Sequence, residues 1–192
     1  MPAPRPEVMD FLLTRRSRPA KTLCAPAPDR GQLGPILTAA LRSPDHGKLE
    51  PWRLIVLEAP ALRRLAGLVR ARGTELGHAA EAIDKAAAAY ETSPLAVAVI
   101  SSPKPSDKIP EIEQVYSAGA VCLALLNAAH ASGWGANWLS GWPAHDRGFV
   151  EAGLGLAPQE RVAGLIHIGT ETAAPPDRPR PDLDAITRWV SE

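Results

Sequence analysis

The sequence predicts an α+β fold, a small mixed sheet flanked by helices, and three observations carry that prediction. Apolar runs of strand length occur at 52–58 ("WRLIVLE"), 94–102 ("PLAVAVISS") and 162–170 ("VAGLIHIGT"), each bounded by proline, glycine or polar residues. Helical patterns lie around them, but they do not alternate with the strands in strict βαβ order, so a doubly wound parallel sheet is not expected. The 192 residues, 45% hydrophobic and 22% charged, suit one core-forming domain rather than a disordered chain.

Each element has a local reason. Residues 7–16 place Val8, Phe11 and Leu12 on one face of a short helix with a cationic end. Asp29 and Gln32 form a capping-box pair ahead of a helix ending near Arg42, with Pro35 in its early, tolerant part. Pro60 opens a helix with Leu62, Leu65, Leu68 and Val69 on one side. The alanine-rich stretch "GHAAEAIDKAAAAYET" is helical until Ser93-Pro94 ends it. Pro110 precedes a long helix reaching about Ser132, with Glu111 and Glu113 near its positive end. From Ala118 to Ala131 that helix is apolar nearly all round, which predicts a central position covered on several sides. "GWGANWLSGW" reads as a turn and short strand, and "HDRGFVEAGLGLAPQER" as a short helix and turn. The proline-rich end, about 171–192, is an arm too poor in core residues to fold alone; Ile186, Trp189 and Val190 are expected to pack on a neighbour. One domain over 1–192 with this C-terminal arm is the expected organisation.

Composition excludes several classes. Lys plus Arg and Asp plus Glu both total 21, so no basic excess suggests nucleic acid, and a neutral surface favours self-association. Two distant cysteines make no disulfide framework; Cys122, in an apolar run, reads as a small buried hydrophobe. The N-terminus lacks a signal-peptide pattern. The most apolar helix carries Asn127 and His130 and reads as core rather than membrane span, so a cytoplasmic location is expected. No metal-spaced His/Cys cluster or nucleophile–base–acid triad is visible, and "GLGLA" lacks the strand and lysine of a phosphate loop.

Two cationic clusters remain. "TRRSR" at 14–18 suits a phosphate, since guanidinium groups bind it bidentately and a hydroxyl adds a neutral donor; taken alone, it reads more simply as a solvated patch at a helix C-terminus. In "RSPDHGK" at 42–48, His46 and Lys48 stand two residues apart, where they can address one planar, oxygen-rich ligand. Singly, each reads more simply as a loop residue. Trp52 reads as core; one of Trp134, Trp138 and Trp142 is a candidate for a substrate channel.

Four blocks taken together, "LLTRRSR", "ILTAALRSPDHGKLEPWRLIVLE", "SAGAVCLALLNAAHASGWGANWLSG" and "LIHIGT", resemble the nitroreductase family of flavin-dependent oxidoreductases, especially its small bacterial members. The resemblance implies a nitroreductase-like fold and a homodimer whose core is the long helix and whose interface holds FMN. It implies that Arg15, Arg16 and Ser17 meet the phosphate and ribityl chain, that Arg42 and His46 reach the flavin, and that Trp138, Leu139 and Ser140 lie along the ring. Lys48 stands where many relatives carry Asn or Ser, and a cation there would favour the anionic reduced flavin. Leu139 makes that side of the pocket less cationic than in some relatives, and Arg178 or Arg180 resembles a tail motif that touches phosphate. The expected activity is hydride transfer from NAD(P)H through flavin N5 to a nitroaromatic, quinone or similar acceptor, in a ping-pong cycle with no catalytic side chain assigned. A flavin sensor or store without efficient turnover is the alternative, as are dehalogenation and enoate reduction on the same fold.

Overall fold

The computed structural model describes residues 3–192, so the first two positions of the expected 1–192 domain lie outside the described residues. Near the N-terminus, α1 (Pro6–Thr14) is followed by an extended segment, the two-residue strand β1 (Leu23–Cys24) and α2 (Arg30–Ala40). The capping box forms as the sequence predicts: Asp29 accepts from the Gln32 backbone N–H at 2.8 Å, and the Asp29 N–H donates to Gln32 Oε1 at 3.1 Å. The strand β2 (Trp52–Glu58) leads into α3 (Ala59–Glu75) and α4 (Ala80–Glu91). Then come β3 (Leu95–Ser101), the long α5 (Glu111–Ala131), β4 (Gly135–Leu139), α6 (Arg147–Leu154) and β5 (Arg161–Glu171). Asp146 caps α6 through the Phe149 N–H, and Gly155 ends it at φ 65, a left-handed conformation that suits glycine.

β5 organises the sheet. It pairs with β3, with β4 through Gly135↔Gly169 to Leu139↔Leu165, and with β1 at its end; β2 lies beyond β3. Every one of these pairings is antiparallel, so the sheet expected to be mixed contains no parallel pair within the described chain. The connections run through helices, β2 to β3 by α3 and α4, β3 to β4 by α5, and β4 to β5 by α6, so these antiparallel neighbours are not joined by tight hairpins.

Alternation along β3 divides the core. Ala96, Ala98 and Ile100 face a cluster built by α3, α4 and α6, whereas Leu95, Val97 and Val99 face α2 and α5. Helices therefore cover both faces of the sheet. β2 is an edge strand and leaves Val56 41% exposed.

α5 also differs in an informative way. Val121, Cys122, Leu125, Leu126 and Ala129 are buried against the sheet and α2, but Ile112, Val115, Tyr116 and Leu123 remain exposed. One chain supplies cover for only one side of an apolar helix. After β5 the arm carries a single short turn, α7 (Leu183–Ile186), and leaves Leu183, Ile186, Trp189 and Val190 exposed.

Candidate functional site

Arg15 stops α1: its N–H still bonds to Phe11 O, but its φ and ψ, −57 and 142, turn the chain into extended structure. The extended residues are then laid along β4. Arg18 N donates to Ala136 O at 2.8 Å, Asn137 Nδ2 donates to Arg18 O at 2.8 Å, and Arg18 Nε pairs with Glu171 at 2.7 Å. Arg15, Arg16 and Ser17 are thereby fixed next to the strand that ends in Trp138 and Leu139.

The cations in this cluster are crowded. Arg15 Nη2 reaches Ser17 Oγ at 3.1 Å, and Arg16 Nη2 reaches Pro176 O of the arm at 3.1 Å. Burial, followed by the positive charges of Arg180 and Arg16, pushes the Arg15 guanidinium below its usual pKa. Among the described residues, neither Arg15 nor Arg16 has a carboxylate partner. The Nε atoms of both arginines are buried without a hydrogen-bond acceptor. Three guanidinium groups without a counter-ion are costly unless an anion joins them, so the residues fit a phosphate group. Arg180, one of the two tail arginines noted in the sequence, lies near enough for its charge to act on Arg15.

A cleft of about 400 Å³ beside the cluster is lined by Arg15, Arg16, Arg18, His130 and Trp134. His130 Nε2 lies 3.0 Å from Ala136 O; a carbonyl only accepts, so Nε2 carries the proton and Nδ1 is left as a buried acceptor without a donor. Burial, the largest influence, holds this ring neutral-leaning by lowering its pKa.

The second cluster stands on the N-terminal half of α5. His46 Nδ1 lies 2.7 Å from Glu113 Oε2. Ser117 Oγ donates to Pro44 O at 2.8 Å and accepts from Trp52 Nε1 at 3.0 Å. Arg42 and Lys48 are exposed and, among the described residues, enter no ion pair. Lys48 and Glu50 take left-handed backbone conformations at φ 55 and 47, which non-glycine residues adopt at a cost of order 1 kcal/mol each. The cleft here, lined by Pro44, Asp45, His46, Glu113 and Tyr116, has no residue in common with the Arg15 cleft.

Trp138 is 38% exposed and lies over Gly164 of β5, where any side chain would meet the indole. Leu139 is half-buried, Ser140 exposed, and Gly141 turns at φ 89. Trp134 faces the arginine cleft, while Trp142 packs among the α3, α4 and α6 core and stacks with His78 at 4.6 Å. Sequence inspection singles out neither Arg18 as the anchor of the segment nor Glu113 as the partner of His46. Both pairings join positions distant in the chain, and residue types alone carry no signal for them. Among the described residues no group of His, Cys, Asp and Glu is arranged to hold a metal ion.

Sheet, helical layers and a guanidinium cluster at the start of β4 define an α+β protein with a cleft whose lining fits an anionic group. The chain belongs to the nitroreductase family, whose model matches residues 12–170. It is 34% identical over 164 residues, covering 85% of this chain and 88% of the relative, to the "Putative NAD(P)H nitroreductase YdjA" of Escherichia coli K12. A similarly named Haemophilus influenzae protein is 38% identical over 165 residues, with the same coverage of 85% and 88%. Among solved structures, the nitroreductase-like family protein of Bacillus cereus superimposes with a TM-score of 0.80 at 21% identity, over 99% of both chains. A nitroreductase of Desulfovibrio desulfuricans in complex with FMN matches with a TM-score of 0.74 at 21% identity, over 99% of this chain and 100% of that one.

Proposed function

We propose that the protein is an FMN-dependent oxidoreductase that draws hydride from NAD(P)H and delivers it to an oxidised acceptor such as a nitroaromatic or quinone. The observation that carries this reading is the pair Arg15 and Arg16, crowded, making no ion pair among the described residues and with buried Nε donors unpartnered, in the cleft at the start of β4. The names of the Escherichia coli and Haemophilus influenzae relatives support the nicotinamide donor, and the FMN-bound Desulfovibrio desulfuricans structure supports the cofactor.

FMN, when bound, would supply the hydride-transfer chemistry between donor and acceptor. The chain's own residues bind and orient. Arg15, Arg16 and Ser17 would hold the phosphate end, with Arg180 of the arm adding positive potential nearby. Trp138, Leu139 and Ser140 would line the ring, and Gly164 gives Trp138 room to pack against the sheet. Arg42, His46 and Lys48 approach the polar side of the ligand, Lys48 contributing positive potential that favours electron uptake.

The two clusters line separate clefts in one chain, and a homodimer brings them to one ligand. The exposed apolar side of α5, with Ile112, Val115, Tyr116 and Leu123, provides the surface for that pairing. In this arrangement residues 1–192 form one domain, and the arm at about 171–192 clasps the second subunit through Ile186, Trp189 and Val190.

An absorbance spectrum of the purified protein, followed by anaerobic NADH and NADPH, tests the reading. Flavin bands that bleach on nucleotide addition are the expected result. A colourless protein that also refuses added FMN overturns it.

A further inference from the structure

His46 has a ring that is mostly exposed, with 62% of its side chain accessible, yet its direction is held from one side by Glu113 at 2.7 Å. We propose that Glu113 is a positioning residue of the flavin site. It accepts the Nδ1 proton of His46, sets the tautomer of the ring, and leaves Nε2 as the atom presented to an O–H or N–H group of the ligand. The proposal rests on the reading that His46 contacts FMN.

Chemistry dictates the direction of the bond. An ionised carboxylate has no proton to give, so the hydrogen between the two side chains belongs to Nδ1. In a neutral ring Nε2 is then a lone-pair acceptor, the reverse of the tautomer a free imidazole favours. The bond made by one ring nitrogen fixes what the other can do.

The surrounding frame makes this more than a surface pair. Glu113 and Ser117 are four residues apart, so they share one face of α5. Both grip the same turn, Glu113 at His46 and Ser117 at Pro44 O, 2.8 Å away. Trp52 Nε1 donates to Ser117 Oγ at 3.0 Å, which commits the hydroxyl proton to Pro44 and ties the start of β2 into the grip. Asp45 Oδ2 accepts from Glu50 N at 2.7 Å across the left-handed residues 47, 48 and 50. Gly47, at φ 69, lets Ile109 approach so closely that a Cβ would come within 2.5 Å of its Cδ1. A turn held at this many points, and strained at two non-glycine positions, presents its ring in one direction before the ligand arrives.

The test uses the purified, flavin-free protein carrying ¹⁵N-histidine. In wild type the His46 ring shows a protonated Nδ1 and an unprotonated Nε2 at neutral charge. E113A returns it to the Nε2-protonated form, and E113Q, whose amide oxygen still accepts, retains the wild-type pattern. FMN titrations follow: E113A weakens binding about tenfold, E113Q recovers most of that loss, and the melting temperature of the flavin-free protein is unchanged in both. A wild-type ring protonated at Nε2 overturns the tautomer assignment alone, leaving the flavin reading intact. Wild-type FMN affinity in E113A alongside weakened affinity in H46A overturns the positioning role. Unchanged FMN affinity in H46A itself overturns both the proposal and the placement of His46 at the flavin, while the tautomer pattern still reports the Glu113 bond.

Discussion

Replacing Arg15 by alanine separates ligand binding from folding, because the native structure places almost no folding interactions on that side chain. Its guanidinium makes one side-chain hydrogen bond, to Ser17 Oγ at 3.1 Å, and enters no ion pair among the described residues. Removing it also relieves repulsion with Arg16 and Arg180, so the flavin-free protein changes by less than about 1 kcal/mol. The bound state loses a charge-assisted contact to phosphate. One such contact to a charged group contributes about 1.5–3 kcal/mol, and the upper half of that range applies where two parallel N–H donors are lost. At about 1.4 kcal/mol per decade, FMN affinity falls on the order of 100-fold in R15A. R15K, with charge but no fork, falls about tenfold. Quenching of FMN fluorescence on titration into flavin-free protein gives Kd, and thermal unfolding with sedimentation supplies the folding control. An R15A Kd within threefold of wild type refutes the phosphate assignment. A large fall in melting temperature refutes the claim that Arg15 is idle in the fold.

Other expectations follow from single positions. K48M lowers the reduction potential of bound FMN by tens of millivolts, on the order expected for one nearby cation in partly screened surroundings; spectroelectrochemistry that finds no change removes Lys48 from the ring. Truncation of Arg53 in R53M leaves Glu160, 5% exposed, without its two 2.7 Å bonds, at about 2 kcal/mol. R53M should therefore melt about 4–8 °C lower, and R53M with E160Q should regain part of that. Burial holds His167 at about 4, so between pH 6.5 and 4 the unfolded chain takes a proton that the folded chain refuses. Stability then falls with acid by about 1.4 kcal/mol per pH unit from this group. Glu160, held at about 2 chiefly by Arg53, acts in the same direction at lower pH: its contribution is present above about 4.5 and disappears as pH falls toward 2. Urea unfolding of H167Q should show a flatter pH profile above pH 4 than wild type. Finally, G164A drives a methyl into Trp138. It should cost about 1–3 kcal/mol and weaken FMN binding as the indole shifts, both readable in one denaturation and one titration series.

Elements governed by local rules were legible in the order of the residues. Proline and capping residues set the helix starts at Asp29, Ala59 and Glu111, and unbroken apolar runs set β2, β3 and β5 within a residue or two. The family resemblance placed Arg15, Ser17, His46 and Trp138 on candidate site segments because those segments are contiguous in the chain. Two-residue β1 was beyond reach, since a strand that short has no periodicity. Sheet direction was also beyond reach: an apolar run has the same pattern whichever way its neighbour points, so the expected mixed sheet became an antiparallel one. Edge exposure of Val56 follows from strand order, not from composition. The long-range pairs, Arg18 with Glu171 and His46 with Glu113, come from the tertiary structure alone. Their energies depend on distances between segments far apart in the chain, and residue identity alone does not encode such a distance.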